Sequence, residues 1–200
     1  PANVKEAYLV QVLSHFLERL AASIIDFTNS IKTCELLHQI CVQLGIESVS
    51  LHSLKKQKQR QESLERFRSQ RVPILFATDV ASRGIDIPAV EVIINYDPPR
   101  NVSDYVHRIG RTARAKRSGE AVTLVTQHDV GRFLAIEKGT TQRMEQFGLN
   151  EQNFTSSLTR VIAAKRSARL AMTQEFDSKL TNQKREEKRK VEKRKEEKSG

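Results

Sequence analysis

The chain has 200 residues, with 34 Lys and Arg against 24 Asp and Glu, a formal net charge of +10, 38% hydrophobic residues and no tryptophan. That length suits one ordinary domain with an extension, or two small domains. It contains no N-terminal apolar h-region and no apolar run of about 18 residues, so neither secretion nor a helical membrane span is expected.

The positive surplus favours a polyanionic partner such as RNA, DNA or anionic lipid. Residues 179–200 carry ten Lys and Arg against five Glu, so this end holds half of the net charge and the body is only moderately basic. Cys34 and Cys41 are the only cysteines. With Leu37 and Leu44 they fall on one face of a helical pattern, which reads as core in a reducing compartment; no Cys/His cluster has metal-ligand spacing. The chain opens at Pro1 rather than Met, as a fragment or processed product would.

In chain order, residues 4–10 read as a strand and 11–20 as a helix. Residues 23–27 are a short apolar run of the buried-strand kind. A helix is expected from Ile31, with Asn29 or Ser30 as its N-cap and Gly45 just past its end. Residues 47–51 read as a strand and 57–69 as a helix. Runs at 74–77, 90–95 and 120–126 complete a set of strands. Helices fit 102–109 and the stretch after His128, with the Gly139-Thr140-Thr141 sequence ending or bending the latter. Short β-rich runs alternating with helical patterns imply βαβ units and a parallel sheet.

Beyond about residue 150 the character changes. Phe154, Leu158, Val161 and Ile162 form one modest apolar stripe, and then apolar residues thin out. The expected organisation is a compact domain over 1–150, an accessory helical extension over 151–178 and a basic charged tail over 179–200. Residues 184–198 mix Lys, Arg and Glu around the single apolar Val191 and cannot bury a core. Such a tail reads as a solvated end, a non-specific RNA tether or a nuclear import signal.

Ligands of open parallel sheets bind at the carboxyl ends of strands, so the loops there carry the chemistry. The stretch ATDVASRGID at 77–86 packs hydroxyls, an arginine, a glycine and two carboxylates into one turn. Gly84 admits close backbone approach, Thr78 and Arg83 can donate to phosphate, and Asp86 is a suitable acceptor for ribose hydroxyls. In the stretch HRIGRTAR at 107–114, Arg111 and Arg114 are three apart and project from one face of a helical turn. Their planar guanidinium groups match phosphate geometry. Gln57 and Arg60 share a face at the start of a helix, where backbone N–H groups also favour phosphate.

The order Phe27-Thr28-Asn29, Gln57-x-x-Arg60, ATDVASRGID and HRIGRTAR resembles, motif by motif, the C-terminal domain of DEAD-box RNA helicases, over about residues 1–147. The resemblance implies a RecA-like three-layer α/β domain: a mostly parallel sheet flanked by helices, followed here by a helical and basic C-terminal extension. It implies that Thr28, Asn29, Gln57, Arg60, Thr78, Asp79, Arg83 and Gly84 line an RNA backbone. Asp86, with Gly84, would hold the nucleotide ribose. Arg111 and Arg114 would act as catalytic arginine fingers on ATP, His107 and Arg108 would couple closure to the partner domain, and Phe27 would brace the arginine motif. Two positions depart from the pattern. Asp26 stands where the family has an aliphatic residue, and must be paired, protonated or at a polar edge. Ala113 replaces the commoner Gly and leaves both arginines in register.

Neither a G-x-x-x-x-G-K-[ST] phosphate loop nor a D-E-A-D-like run occurs in these residues. The resemblance therefore places the Mg2+ ligands and phosphate-loop lysine on an N-terminal RecA-like domain of the same longer chain. No metal site is expected here, and residues 1–200 alone are expected to hydrolyse no ATP. The implied partners are RNA, that N-terminal domain and an activating protein. The ARLAMTQEFD stretch (168–177) and basic end look most like the branch acting on pre-ribosomal RNA in the nucleus and nucleolus. A non-enzymatic RNA-binding adaptor that kept the fold is the rival reading, and a related DNA helicase a second.

Overall fold

The computed structural model describes residues 1–82, 87–112, 119–140, 143–149, 154–172, 176, 178, 179 and 181. After a 3-10 turn at Ala2–Val4, the elements are α1 (Lys5–Glu18), β1 (Ile24–Thr28), α2 (Ile31–Gln43), β2 (Ser48–Leu51), α3 (Gln57–Arg68) and β3 (Ile74–Thr78). There follow α4 (Asp79–Ser82), β4 (Val92–Asn95), α5 (Val102–Ile109), β5 (Glu120–Thr123), α6 (Val130–Thr140) and α7 (Phe154–Ala171).

The strands form one sheet in the order β2-β3-β1-β4-β5, and every pairing is parallel. The central β1 is buried along its whole length, as expected of a strand covered on both faces. Side chains alternate across it. Ile24 joins Ile74, Phe76, Val92 and Ile94 in a core layer with α1, α2 and α7. Ile25 and Phe27 join Leu75, Ala77 and Ile93 on the other face, against Leu64 and Phe67 of α3. This is a three-layer α/β domain of the RecA-like kind that the motifs imply.

One expectation is overturned. Residues 4–10 are not a strand: α1 starts at Lys5 and buries Ala7, Leu9, Val12, Leu13 and Phe16 along one flank. The β-propensity of Tyr8, Leu9 and Val10 yields to burial, because a helix there covers the sheet face that a sixth strand would leave open. Apart from α4, which opens a stretch read as a turn, the other strands and helices fall within a few residues of their expected places. Ser30 rather than Asn29 caps α2, its hydroxyl accepting from Thr33 N at 3.0 Å. Gly45 follows that helix at φ +73°, a left-handed position that glycine adopts without penalty.

α7 belongs to the same core. Val161, Ala164 and Ala168 are buried against α1 and α2, Phe154 meets Tyr8 at 4.6 Å between ring centroids, and Lys165 reaches Glu6 at 2.6 Å. Ile162, read as part of the apolar stripe, instead faces solvent. Residues 182–200, which carry almost all of the basic tail, lie outside the described residues. Among the described residues, no helix is long and apolar enough to cross a membrane.

Cys34 and Cys41 are both buried free thiols of α2, and burial pushes the Cys34 thiol up to about 12. Asp26 is fully buried in the middle of β1. Its Oδ1 accepts from Tyr96 N at 3.0 Å, while among the described residues Oδ2 has no hydrogen-bond partner. Burial drives this carboxyl well above the usual carboxylate range. The Tyr96 hydrogen bond pulls the other way, and Asp97 adds to the rise. Burial favours the neutral carboxyl at Asp26, and the one hydrogen bond it makes among the described residues comes from the backbone.

Candidate functional site

At the carboxyl ends of β1, β3 and β4 the chain places Asn29, Asp79 and Asp97, and α5 brings Arg108 into their midst. Arg108 is 2% exposed, and all its N–H groups are engaged. Nε and one Nη2 hydrogen donate to the two carboxylate oxygens of Asp79, each at 2.7 Å. Nη1 donates to Asn95 Oδ1 at 3.0 Å and to the Asp97 carbonyl at 2.8 Å. Nη2 also donates to Asn29 Oδ1 at 2.9 Å. The guanidinium lies 5.1 Å from the Phe27 ring centroid, so Phe27 packs against the segment that carries Arg108.

The arrangement locks the loop ends together. Asn29 Nδ2 donates to the Pro98 carbonyl at 3.0 Å, and Asn29 N donates to Asp97 Oδ2 at 2.9 Å. Lys5 Nζ bonds Asp97 Oδ1 at 3.3 Å and stands 3.8 Å from Asp129 Oδ2, tying the start of α1 to the same cluster. Two of the eight residues expected along an RNA backbone, Asn29 and Asp79, are thus held by Arg108. The Asp79 charge, which would repel a phosphate, is neutralised by a fork-to-fork pair. Asn95 and Asp97 were not singled out from the sequence. The signal was present, since both are polar residues at the end of the apolar run of β4.

Beside this cluster lies a cleft of about 220 Å3 lined by Phe27, Asp79, Ser82, Asp104, His107, Arg108 and Arg111. His107 is exposed and Arg111 is half-buried, so the Arg111 guanidinium and an imidazole line the cleft where solvent reaches it. The backbone carbonyl of Arg111 accepts from Val90 N at 3.0 Å, and Thr112 Oγ1 donates to the Val90 carbonyl at 2.7 Å. These bonds fix the end of α5 to the strand side of the domain.

Thr28 is buried, with its hydroxyl donating to the Ser30 carbonyl at 3.1 Å, and Thr78 is buried at the end of β3. Gln57 and Arg60 stand apart from the Arg108 cluster. They open α3 beyond the edge strand, where Arg60 Nη1 donates to Gln57 Oε1 at 3.4 Å. Arg83, Gly84, Asp86 and Arg114 lie outside the described residues, as does Ala113. Among the described residues no group of three or more His, Cys, Asp or Glu could hold a metal ion.

The profile described as "Helicase conserved C-terminal domain" matches residues 5–116. The chain is 43% identical, over 94% of its length, to "Probable ATP-dependent RNA helicase DDX49" of Homo sapiens, and 46% identical over 88% to "ATP-dependent RNA helicase DBP8" of Eremothecium gossypii. It belongs to the DEAD-box RNA helicases. The E. coli DEAD-box protein SrmB, solved bound to the regulator RraA, superposes with a TM-score of 0.63 at 35% identity, covering 71% of this chain and 80% of that one. The solved C-terminal domain of Dbp5 gives a TM-score of 0.64 at 28% identity, over 79% of this chain and 90% of that one. The chain spans 39% and 40% of the lengths of these two curated relatives.

Proposed function

We propose that this domain is the C-terminal half of an ATP-dependent RNA helicase, gripping an RNA backbone and lending Arg111 and Arg114 to an ATP site completed by an N-terminal RecA-like domain. The observation that carries the reading is the Arg108 cluster. It binds Asn29, Asp79 and Asp97 into one unit and sets Arg111, three residues on, at the rim of the cleft. A buried guanidinium with every donor used is a fixed post, and a fixed post can hold the next arginine in register with a distant phosphate. The names of the curated relatives, and a 28%-identical Dbp5 chain solved with RNA and ADP BeF3, support this reading.

ATP with Mg2+ supplies the transferable γ-phosphoryl group when bound. The half-buried Arg111, beside His107, gives the cleft a cationic donor of the kind that a polyphosphate needs. In this reading Arg111 and Arg114 meet the charge that develops on the phosphoryl oxygens, and Asp86 accepts from the ribose. His107 and Arg108 couple domain closure to this chemistry. Gln57, Arg60, Thr28, Thr78, Arg83 and Gly84 contact the RNA backbone, with Asn29 and Asp79 shaping that surface through Arg108. Backbone contacts carry little sequence information, so the domain grips by shape and charge. A finer assignment, to pre-ribosomal RNA in the nucleolus, rests on the 168–177 stretch and the basic end. Co-sedimentation of the tagged full-length protein with pre-ribosomal particles tests it, and exclusion from them removes it.

The central test replaces Arg111 or Arg114 by Ala in the full-length enzyme. RNA-stimulated ATP turnover is expected to fall by roughly 10³–10⁵, while most RNA affinity remains. Loss of RNA binding with surviving hydrolysis would assign the arginines to the other ligand. Residues 1–200 alone are expected to show no RNA-stimulated turnover.

A further inference from the structure

On the far side of the sheet from the Arg108 cluster, a second polar cluster is buried between α2 and the edge strand β2. Glu35, on α2, lies at its centre. Its Oε1 accepts from Gln39 Nε2 at 2.9 Å. Its Oε2 accepts from Ser50 Oγ at 2.7 Å and pairs with His52 Nε2 at 3.0 Å. Ser50 is fully buried and His52 is 2% exposed, with the Phe176 ring edge-on to the imidazole at 5.9 Å. Burial by itself would push the Glu35 carboxyl up, but donors from His52, Gln39 and Ser50 outweigh it and hold the group far below the usual carboxylate range. Glu35 is therefore a charged carboxylate inside the protein.

A buried charge of this kind adds little stability over an apolar replacement of the same size, so its value lies in the geometry it imposes. Two of its three partners sit on β2 and on the residue just after it. Lys55 N donates to the His52 carbonyl at 3.2 Å, closing a turn, and Lys55 itself is half-buried within electrostatic reach of Glu35. Lys56 N then donates to Gln59 Oε1 at 3.1 Å as α3 begins, and Gln57 and Arg60 follow on its first turn. Among the described residues His52 Nδ1 has no hydrogen-bond partner, and Glu35 is the polar group bonded to the imidazole.

We propose that Glu35 is a positioning residue for the RNA-backbone site: it clamps His52, and through the 52–55 turn sets where the first turn of α3 presents Gln57 and Arg60. The proposal rests on the reading of Gln57 and Arg60 as RNA contacts. Glu35 touches no RNA itself. Removing it frees the imidazole and lets the turn and helix start drift, which weakens the grip on RNA without touching the arginines at the ATP site.

The test uses the full-length helicase with Glu35→Ala, Glu35→Gln and Arg60→Ala. RNA-stimulated ATP turnover is titrated with a single-stranded RNA oligonucleotide. Glu35→Ala is expected to raise the half-saturating RNA concentration by roughly five- to tenfold, with turnover at saturating RNA within about twofold of the parent. Glu35→Gln keeps the shape and an acceptor oxygen, and should recover most of the affinity. If Glu35→Ala yields no folded enzyme, His52→Ala replaces it with the same expectation. Unchanged half-saturation in Glu35→Ala beside a weakened Arg60→Ala would overturn the proposal while leaving the RNA site standing. A fall in saturated turnover with unchanged half-saturation would also overturn it, as mere loss of stability. If Arg60→Ala is itself silent, the RNA reading of α3 falls, and the proposal with it.

Discussion

Arg108 and Asp79 face each other fork to fork, two N–H groups against two carboxylate oxygens at 2.7 Å each, in a place where the arginine is almost wholly buried. The pair joins α5 to α4 and so ties the arginine segment to the segment after β3. Arg108→Ala leaves Asp79, Asn29 and the Asp97 carbonyl without their donor. Breaking a buried pair of this kind costs about 3–5 kcal/mol, and the quarter-exposed Asp79 side chain sets the cost at the lower end. Arg108→Lys should recover little, because an ammonium cannot match the fork or reach Asn95 and Asn29 together. Urea denaturation of the domain reads both. A double-mutant cycle with Asp79→Ala should show coupling above about 1 kcal/mol, and additive single effects would remove the pair from the account.

Leu20 offers a stabilising change with no functional site nearby. It follows the end of α1 at φ +61° with 87% of its surface exposed, so it bears a left-handed backbone without the compensation of burial. Leu20→Gly relieves that conformation, which costs an ordinary residue about 1 kcal/mol, and removes an exposed apolar side chain. The expected outcome is a higher denaturation midpoint with an unchanged m-value. A lower midpoint would mean that the flexibility gained by the unfolded chain outweighs the relief.

Most strands and helices after Ala21 were legible because period and punctuation agree there: apolar runs for buried parallel strands, Ser30 as a cap, Gly45 past a helix. α1 was not, because Tyr8, Leu9 and Val10 favour a strand locally and only the uncovered sheet face decides for a helix. At the site, the motifs pointed to Arg108, Asn29 and Asp79 separately. That these three meet could not be read from the sequence, since it depends on which strand ends are neighbours in the sheet. Glu35 was missed for the same reason, being an ordinary polar residue until the fold gives it buried partners. Asn95 and Asp97 lay where a signal was present, at the end of an apolar strand run, but only the fold shows that Arg108 reaches them.

Gly119 is constrained by packing. A β-carbon there would fall within the side chain of Thr112, whose hydroxyl holds the Val90 carbonyl next to Arg111. Gly119→Ala must displace Thr112 and should cost about 1–3 kcal/mol, the usual scale for overpacking. In the full-length enzyme the shift of Thr112 should also lower ATP turnover, since Arg111 precedes it directly. In a Thr112→Ala background, which lacks the hydroxyl that the new β-carbon would meet first, Gly119→Ala should cost much less. Failure of that rescue would place the cost elsewhere than the Thr112 contact.

Asp26 makes stability depend on pH in a stated direction. Its folded carboxyl keeps its proton to a pH well above the ordinary value of 3.8, chiefly through burial, with Tyr96 N, Asp97, Arg108 and Lys5 as the facing groups. The folded state therefore binds more protons than the unfolded chain in that window. Stability contributed by the protonated form is fully present below about pH 4 and is lost as pH rises toward the folded pKa, at up to about 1.4 kcal/mol per pH unit. Asp26→Asn keeps an acceptor for Tyr96 N and cannot ionise, so its stability should lack this slope. Denaturation at pH 5 and pH 8 should show the variant gaining on the parent as pH rises. Parallel profiles would mean that Asp26 ionises alike in both states, and that its buried oxygen finds water or a counter-charge on folding.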